Sequence, residues 1–154
     1  MAIASSTASF AQTTPAAILP SEPAPDLTPQ VAAAPTPDLR QVECIAKIIM
    51  HEAANEPRIG RVAVAQVIRT RIKSGRFAAD ACAVAKQHGQ FFDVDAFEPQ
   101  RSTDGWSDAV AIATDTLNGG GDEVAPGALF FHAAYSPMAG RVRVAQIGGH
   151  VFYR

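Results

Sequence analysis

Residues 58–75 read RIGRVAVAQVIRTRIKSG and carry the pattern of a buried helix. Their apolar side chains recur every three or four positions, which is the spacing of one helix face. That face holds Val64, Val67, Ile68 and Arg71. Gly75 is suited to end the helix, because glycine readily adopts the left-handed conformation of a C-terminal cap. A helix that is apolar around most of its circumference packs inside a domain, so we predict a central helix over residues 58–74.

Another helix is predicted immediately before this one, over residues 40–55. Its apolar positions follow the helical spacing: Ile45, Ile48 and Ile49. Asp38 is placed to cap its N-terminus, since an aspartate side chain accepts hydrogen bonds from the first free backbone amides. Pro57 stops this helix or marks a bend.

The helical pattern continues downstream and then gives way to an extended one. We predict a short helix over residues 79–86, a loop over residues 87–103, and a helix over residues 105–117 capped by Thr103 or Asp104. The segments that look extended come last: residues 128–133, 142–147 and 151–153. Helices followed by a small strand element predict an α+β fold.

The composition excludes several classes of protein. The chain has 154 residues, the size of one domain. Thirteen Lys and Arg against 15 Asp and Glu give a formal net charge of −2, without the basic bias of a nucleic-acid-binding domain. The apolar runs fall far short of the roughly 18 residues needed to cross a bilayer. We therefore expect no nucleic acid partner and no integral membrane segment.

Residues 1–39 differ from the rest of the chain. They contain no Lys or Arg and seven of the eleven prolines, so we interpret them as a disordered Ala/Pro-rich leader or linker before a domain at residues 40–154. Their start lacks the basic region of a signal peptide, although residues 9–11 resemble a cleavage site. Both a truncated signal peptide and an Ala-rich tail without a targeting signal fit this segment. The Ala/Pro-rich linker favours export.

The segment around Glu52 carries the first candidate site. Its sequence His51-Glu52-Ala-Ala-Asn55-Glu56 begins like a zinc protease motif, but Asn55 stands where the second histidine ligand is needed. Glu52 remains as a carboxyl group near the end of an apolar helix, a setting that favours a general acid. Glu56, four residues on, shares the face of Glu52 if the helix continues. The alternative is an ordinary helix-end glutamate bonded to a loop or an arginine.

The four histidines show no metal-ligand spacing among themselves: His51, His88, His132 and His150. We therefore predict no metal site and no cofactor. His132 lies in the extended stretch at residues 128–133, which fits either the wall of a cleft or a core histidine bonded to the backbone.

Cys44 and Cys82 are the only cysteines, with 37 residues between them. In an exported chain such a pair is most simply a disulfide, and closing this loop contributes roughly 3–4 kcal/mol in the chain-entropy model. Two buried thiols in a cytosolic protein and a nucleophilic cysteine are the alternatives.

A series of short segments along residues 43–154 also occurs in an order that is characteristic of one protein family. They are Cys44-Ile45-Ala46, Glu52-Ala53, Glu56-Pro57, Gly60 with residues 62–68, Arg71, residues 73–77, Cys82-Ala83-Val84, Gln90-Phe91, Trp106, residues 127–133, Ile147-Gly148, His150 and Phe152-Tyr153. Together they resemble the catalytic domain of the SleB-type cell-wall hydrolase family, which includes spore-cortex-lytic enzymes. Each piece alone is weak, whereas the ordered set covers nearly the whole globular part.

The resemblance implies a mainly helical, lysozyme-like domain related to resuscitation-promoting factors, with a small β element near the C-terminus. It implies a peptidoglycan lytic transglycosylase or glycosidase that leaves 1,6-anhydro-muramic ends, with Glu52 as general acid/base. The residues expected to line its sugar cleft are Glu56, Gln90, His132 and Tyr135. We expect a monomer, exported to the periplasm or cell wall, that acts on peptidoglycan glycan strands.

Other functions stay open at this point. A hydrolytic muramidase or glucosaminidase would activate water with a second carboxylate, namely Glu56, Asp93 or Asp95. A catalytically degenerate module would bind the wall without turnover. A metal-dependent peptidase is the most distant alternative.

Overall fold

A computed structural model describes residues 36–154 of the chain, so residues 1–35 of the predicted leader lie outside the described residues. The elements run in the order α1 (Leu39–Glu52), α2 (Arg58–Ser74), α3 (Ala81–Ala85), α4 (Asp104–Leu117), β1 (Phe130–Ala133), β2 (Arg143–Ile147) and β3 (His150–Tyr153). This order confirms the predicted α+β class. In the part that the structure describes, no helix is both long and apolar enough to cross a membrane.

Helix α2 lies in the centre of the domain, as its sequence predicts. It packs against α1, α3 and α4 and against strands β1 and β2. Val64, Val67 and Ile68 are buried, and each such side chain contributes roughly 1.5–3 kcal/mol when removed from water. Gly75 ends the helix in the left-handed conformation, with φ 66°. The apolar face therefore sets where α2 lies, and the glycine sets where it ends.

Helix α1 begins at the predicted cap and ends earlier than predicted. The Asp38 carboxylate accepts a hydrogen bond from the backbone amide of Arg40 at 2.9 Å. The helix stops at Glu52 because Ala53 leaves the helical conformation, with φ −139° and ψ 18°. A short turn then leads to Pro57, which immediately precedes α2.

The remaining helices also start at side-chain caps. Asp80 is extended, and its carboxylate accepts from the backbone amide of Ala83 at 2.9 Å, so α3 is shorter than the predicted 79–86. Of the two caps considered for α4, Thr103 is the one used, since its hydroxyl oxygen accepts from the Trp106 amide at 3.2 Å.

The three strands form an antiparallel sheet in the order β1-β3-β2. The central strand β3 is the most buried, and Phe152 is wholly excluded from solvent within the helical core. Phe131 of β1 lies opposite Phe152 in the register. The sheet therefore closes one side of the core. His150 is the first residue of β3 and directly follows the turn between β2 and β3.

A disulfide joins Cys44 to Cys82, with 5.3 Å between their Cα atoms. It links the first turns of α1 to the short helix α3, and both cysteines are buried. Helix α3 has only five residues, too few to be stable on its own. The cross-link therefore fixes α3 and the start of the long loop that follows it.

Breaking this disulfide should lower the free energy of unfolding by about 3–4 kcal/mol, because the 38-residue separation constrains the unfolded chain. The measurement is urea unfolding of material from an oxidising compartment, with and without reductant. A Cys44→Ser/Cys82→Ser double variant is the control and should ignore the reductant. Two thiols that alkylate without prior reduction, seen by intact mass, would contradict the cross-link.

Candidate active site

Glu52 is the last residue of α1 and continues the buried stripe of that helix. Ile45, Ile48 and Ile49 precede it by seven, four and three residues, and all three are fully excluded from solvent. Residues at these spacings share one helix face. Glu52 is thus aligned with the core but lies where the helix ends, and its side chain keeps 27% exposure. Its base is held rigidly while its carboxyl group reaches solvent.

His51 contacts this carboxyl group directly. Its Nδ1 lies 3.1 Å from Glu52 Oε1. The imidazole stacks on Phe92 with 3.7 Å between ring centroids, and Phe97 meets it edge-on. In the tautomer with hydrogen on Nδ1, His51 donates to Oε1 and leaves Oε2 to carry a transferable proton. Phe92 and Phe97 belong to the loop between α3 and α4, so this loop orients the His51 side chain that contacts Glu52.

A cleft of about 380 Å³ opens on one side of Glu52. It brings together three of the four residues predicted to line the site, namely Gln90, His132 and Tyr135. The other lining residues are Arg71, Phe91, Phe131, Ala133 and His150. The end of α2, the loop after α3 and the sheet thus all contribute to its walls.

A second cleft, of about 340 Å³, adjoins the first. The residues common to both are Glu52, Ala133, Tyr135 and His150, and the second adds the turn between α1 and α2, including Glu56. We call the two clefts together the Glu52 groove. A groove that passes on both sides of one carboxyl group suits an extended polymer bound across it.

Glu56 lines the groove but does not continue the face of α1, so the expectation of a shared helix face is wrong. The helix ends four residues before it, and the side chain turns towards the sheet. Its Oε2 accepts a hydrogen bond from the backbone amide of Gly149 at 2.9 Å. Its Oε1 lies 3.6 Å from His150 Nδ1, a buried nitrogen for which residues 36–154 provide no hydrogen-bond partner. Glu56 therefore holds the β2–β3 turn against the end of α1.

The fit of this turn around Glu56 requires glycine. Gly148 has φ 55°, and a Cβ on it would overlap the Glu56 carboxylate. A Cβ on Gly149 would lie 2.8 Å from Glu56 Oε1. The two glycines let the backbone approach the carboxylate closely enough for the hydrogen bond.

The other carboxylates considered as catalytic partners lie elsewhere. Asp93 Oδ1 accepts from the backbone amides of Asp95 and Ala96, and Asp95 pairs with Lys86 at 2.8 Å. Both aspartates line a separate cavity of about 460 Å³, formed by residues 85–95 except Gln90 and without Glu52. Their side chains stabilise the loop after α3 rather than enter the Glu52 groove.

The histidines occupy different settings. His132 and His150 line the groove, His51 contacts Glu52, and His88 lies in the exposed loop after α3. Within residues 36–154, no three His, Cys, Asp or Glu side chains are grouped so that they could hold a metal ion. His132 is thus in a cleft wall rather than in the core.

Sequence reasoning did not place His51, Arg71 or His150 in the site. His51 and His150 reach it through contacts with distant segments, for which no local pattern exists. Arg71 did carry a signal, because an arginine on the apolar face of a central helix requires a partner.

Residues 55–153 match the family model described as cell wall hydrolase. The match spans well over half of the 154 residues, and the chain therefore belongs to the cell wall hydrolase family. The family and the class of peptidoglycan-degrading enzyme predicted from the sequence are confirmed. The matched region starts three residues after Glu52 and includes the groove residues from Asn55 onward.

Among solved structures, the chain is similar to the catalytic domain of the Bacillus cereus SleB protein, with a TM-score of 0.64 and 23% identity over 79% of this chain and 95% of that one. It also matches the catalytic domain of the germination-specific lytic transglycosylase SleB from Bacillus anthracis, with a TM-score of 0.57 and 24% identity over 77% of this chain and 97% of that one. Comparison with curated proteins gave no match. At these identities the structural matches establish the fold.

The contact between Glu56 and the β2–β3 turn leads to a stability prediction. Gly148→Ala should lower the free energy of unfolding by about 2–4 kcal/mol, since it combines a strained backbone with an overlap on Glu56. The measurement is urea unfolding followed by circular dichroism.

Gly140→Ala is the matched control, because Gly140 has φ 74° but open space around its missing side chain. It isolates backbone strain and should cost about 1–2 kcal/mol. The excess cost of Gly148→Ala should shrink in a Glu56→Ala background. Equal costs for the two glycine substitutions would mean that Glu56 does not constrain the turn.

Proposed function

We propose that this protein cleaves the glycan strands of peptidoglycan as a lytic transglycosylase, with Glu52 as general acid and base. The observation that carries the proposal is the position of Glu52, a carboxyl group at the junction of two clefts, fixed by a buried helix and contacted by His51 at 3.1 Å. Membership of the cell wall hydrolase family supports peptidoglycan as the substrate polymer. The fold shared with a lytic transglycosylase supports the reaction type.

The reaction needs one carboxyl group and the substrate's own hydroxyl. Protonated Glu52 donates its proton to the glycosidic oxygen while the bond from that oxygen to C1 of muramic acid breaks. The 6-hydroxyl of the same sugar then bonds to C1, and the Glu52 carboxylate accepts the proton of that hydroxyl. The products are a 1,6-anhydro-muramic end and a free hydroxyl on the departing sugar, and Glu52 is again protonated.

The groove walls offer contacts that suit sugar rings. Tyr135 is 92% exposed at the boundary of both clefts, where an aromatic ring can pack against the apolar face of a sugar. Gln90 and His132 present hydrogen-bonding groups to the same space. In this proposal Glu56 binds substrate only at the edge of the second cleft, because its carboxylate is already bonded to Gly149.

Hydrolysis with a second carboxylate is the alternative reaction. Asp93 and Asp95 line another cavity, and Glu56 Oε2 is already bonded to the backbone of the β2–β3 turn. These placements favour cyclisation over attack by water. A module that binds the wall without turnover differs from both reactions in releasing no fragments.

The Cys44–Cys82 disulfide supports a location outside the cytoplasm, where such bonds persist. Peptidoglycan lies in the same compartment. We therefore propose that the protein is exported and acts as a monomer on the glycan strands of the wall.

The test is digestion of isolated peptidoglycan sacculi with analysis of the soluble fragments by mass spectrometry. The wild-type protein should release 1,6-anhydro-muropeptides. Glu52→Gln should lower the rate by about 10²–10⁴-fold, since the amide cannot transfer the proton. Asp95→Asn is the matched control and should retain activity, because Asp95 is exposed outside the groove.

Fragments with ordinary reducing ends would establish hydrolysis instead and make Glu56→Gln the next variant. No fragments from the wild-type protein, on both cortex-type and vegetative-type wall, would favour the binding module.

A further inference from the structure

Arg71 is a buried cation at the base of the Glu52 groove. It follows Val64, Val67 and Ile68 on the apolar face of α2, at distances of seven, four and three residues, as Glu52 follows its isoleucines on α1. The side chain is only 4% exposed, yet it lines the 380 Å³ cleft together with Glu52. Arginine is rarely buried without a partner, so this position requires an explanation.

The described chain satisfies only part of this guanidinium. Arg71 Nε donates a hydrogen bond to the backbone carbonyl of Leu129 at 2.8 Å, whereas the buried NH1 has no hydrogen-bond partner within the described residues. The rings of Phe77, Phe91 and Phe130 surround the group, with centroids 4.9, 5.1 and 5.6 Å from its central carbon. These rings hold the guanidinium in one orientation but offer no lone pair to its free N–H groups.

No carboxylate in residues 36–154 lies within ion-pairing distance of Arg71. A second cation instead stands close by, since the exposed Arg141 lies 3.4 Å from the centroid of the Phe130 ring. Burial, together with the charge of Arg141, lowers the pKa of Arg71 to about 10. Arg71 therefore stays charged at neutral pH despite being desolvated.

An unpaired buried charge is costly, and an anion that enters the cleft would remove that cost. A carboxylate matches the planar, forked donor set of a guanidinium better than any neutral group does. Peptidoglycan carries carboxylates beside the bond that Glu52 is proposed to protonate.

We propose that Arg71 is a substrate-binding residue that recognises a carboxylate of the wall polymer, with Arg141 adding positive charge nearby. This inference rests on the proposed function, because the proposed glycan substrate supplies the anion. The carboxylate belongs either to the stem peptides or, on muramic acid residues without a stem, to the lactyl group. Pairing of this carboxylate with Arg71 would position the glycan strand in the groove, while Tyr135 and Gln90 contact its sugars.

The test measures binding rather than turnover, using the full chain with Glu52→Gln. Three probes are compared by isothermal titration calorimetry: glycan oligomers with intact stem peptides, the same oligomers after carbodiimide amidation of their carboxylates, and oligomers stripped of stems by an amidase, which exposes the lactyl carboxylate. If a stem carboxylate is the recognised anion, amidation should weaken binding about tenfold or more, the effect of losing one charged hydrogen-bonded partner. The stripped probe should bind tightly only if the lactyl group is the recognised anion.

Arg71→Lys, added to this background, should weaken the preference for a free carboxylate, since lysine keeps the charge but lacks the fork. Arg69→Lys is the matched control, because Arg69 is also buried on α2 but contacts Glu123 and lies outside the groove. Arg141→Gln is a surface change that keeps the test valid should Arg71→Lys fail to fold, and it should weaken the preference about two- to threefold.

Equal affinity for all three probes would overturn the inference, as would equal effects of Arg71→Lys and Arg69→Lys. Failure to bind any of the three probes would overturn it too. Release of anhydro-muropeptides by the wild-type protein is scored separately, so cleavage without carboxylate preference removes this inference and keeps the proposed function. Carboxylate-dependent binding without cleavage keeps this inference and removes the proposed cleavage activity.

Discussion

The hydrogen bond from the Gly149 amide to the Glu56 carboxylate joins the end of α1 to the turn between β2 and β3. These segments are 93 residues apart in sequence, and both line the second cleft. Two glycines without side chains make the approach possible. Because the same turn leads into His150, this contact ties the start of β3 to the segment that follows Glu52. The shape of the groove depends on it.

Burial and charge are combined in the same way on two helices. The apolar stripe of α1 ends in Glu52, and that of α2 ends in Arg71. In each case the preceding side chains anchor the helix, so the charged group projects from a rigid base into the groove. Rigid placement spares a site the cost of ordering its groups when substrate binds. The acid and the proposed anion-binding residue therefore occupy fixed positions in one cleft.

The fold could be predicted from the sequence to the extent that local forces determine it. The periodic apolar positions of α1 and α2 and the caps Asp38 and Gly75 all act within a few residues. The end of α1 was predicted three residues too late. The hydrogen bond between Glu56 and the distant β2–β3 turn leaves no trace in the helical spacing of apolar residues.

The site was predictable only in part. Glu52 is visible as a carboxyl group on an apolar helix, and His132 as a histidine in an extended segment that fits a cleft wall, whereas Gln90 and Tyr135 were expected only from the family resemblance. The pairing of His51 with Phe92 and the entry of His150 into the groove depend on contacts between remote segments. Such contacts follow from the packed fold, and no spacing within the sequence encodes them.

The central claim is that a glycan strand lies in the Glu52 groove with its scissile bond at that residue. A crystal structure of the Glu52→Gln protein with a bound peptidoglycan oligosaccharide tests it most directly. The account predicts that a glycosidic oxygen lies about 3 Å from the residue-52 side chain. A strand bound instead in the cavity of residues 85–95, or a glycosidic oxygen beyond the reach of residue 52, would contradict it.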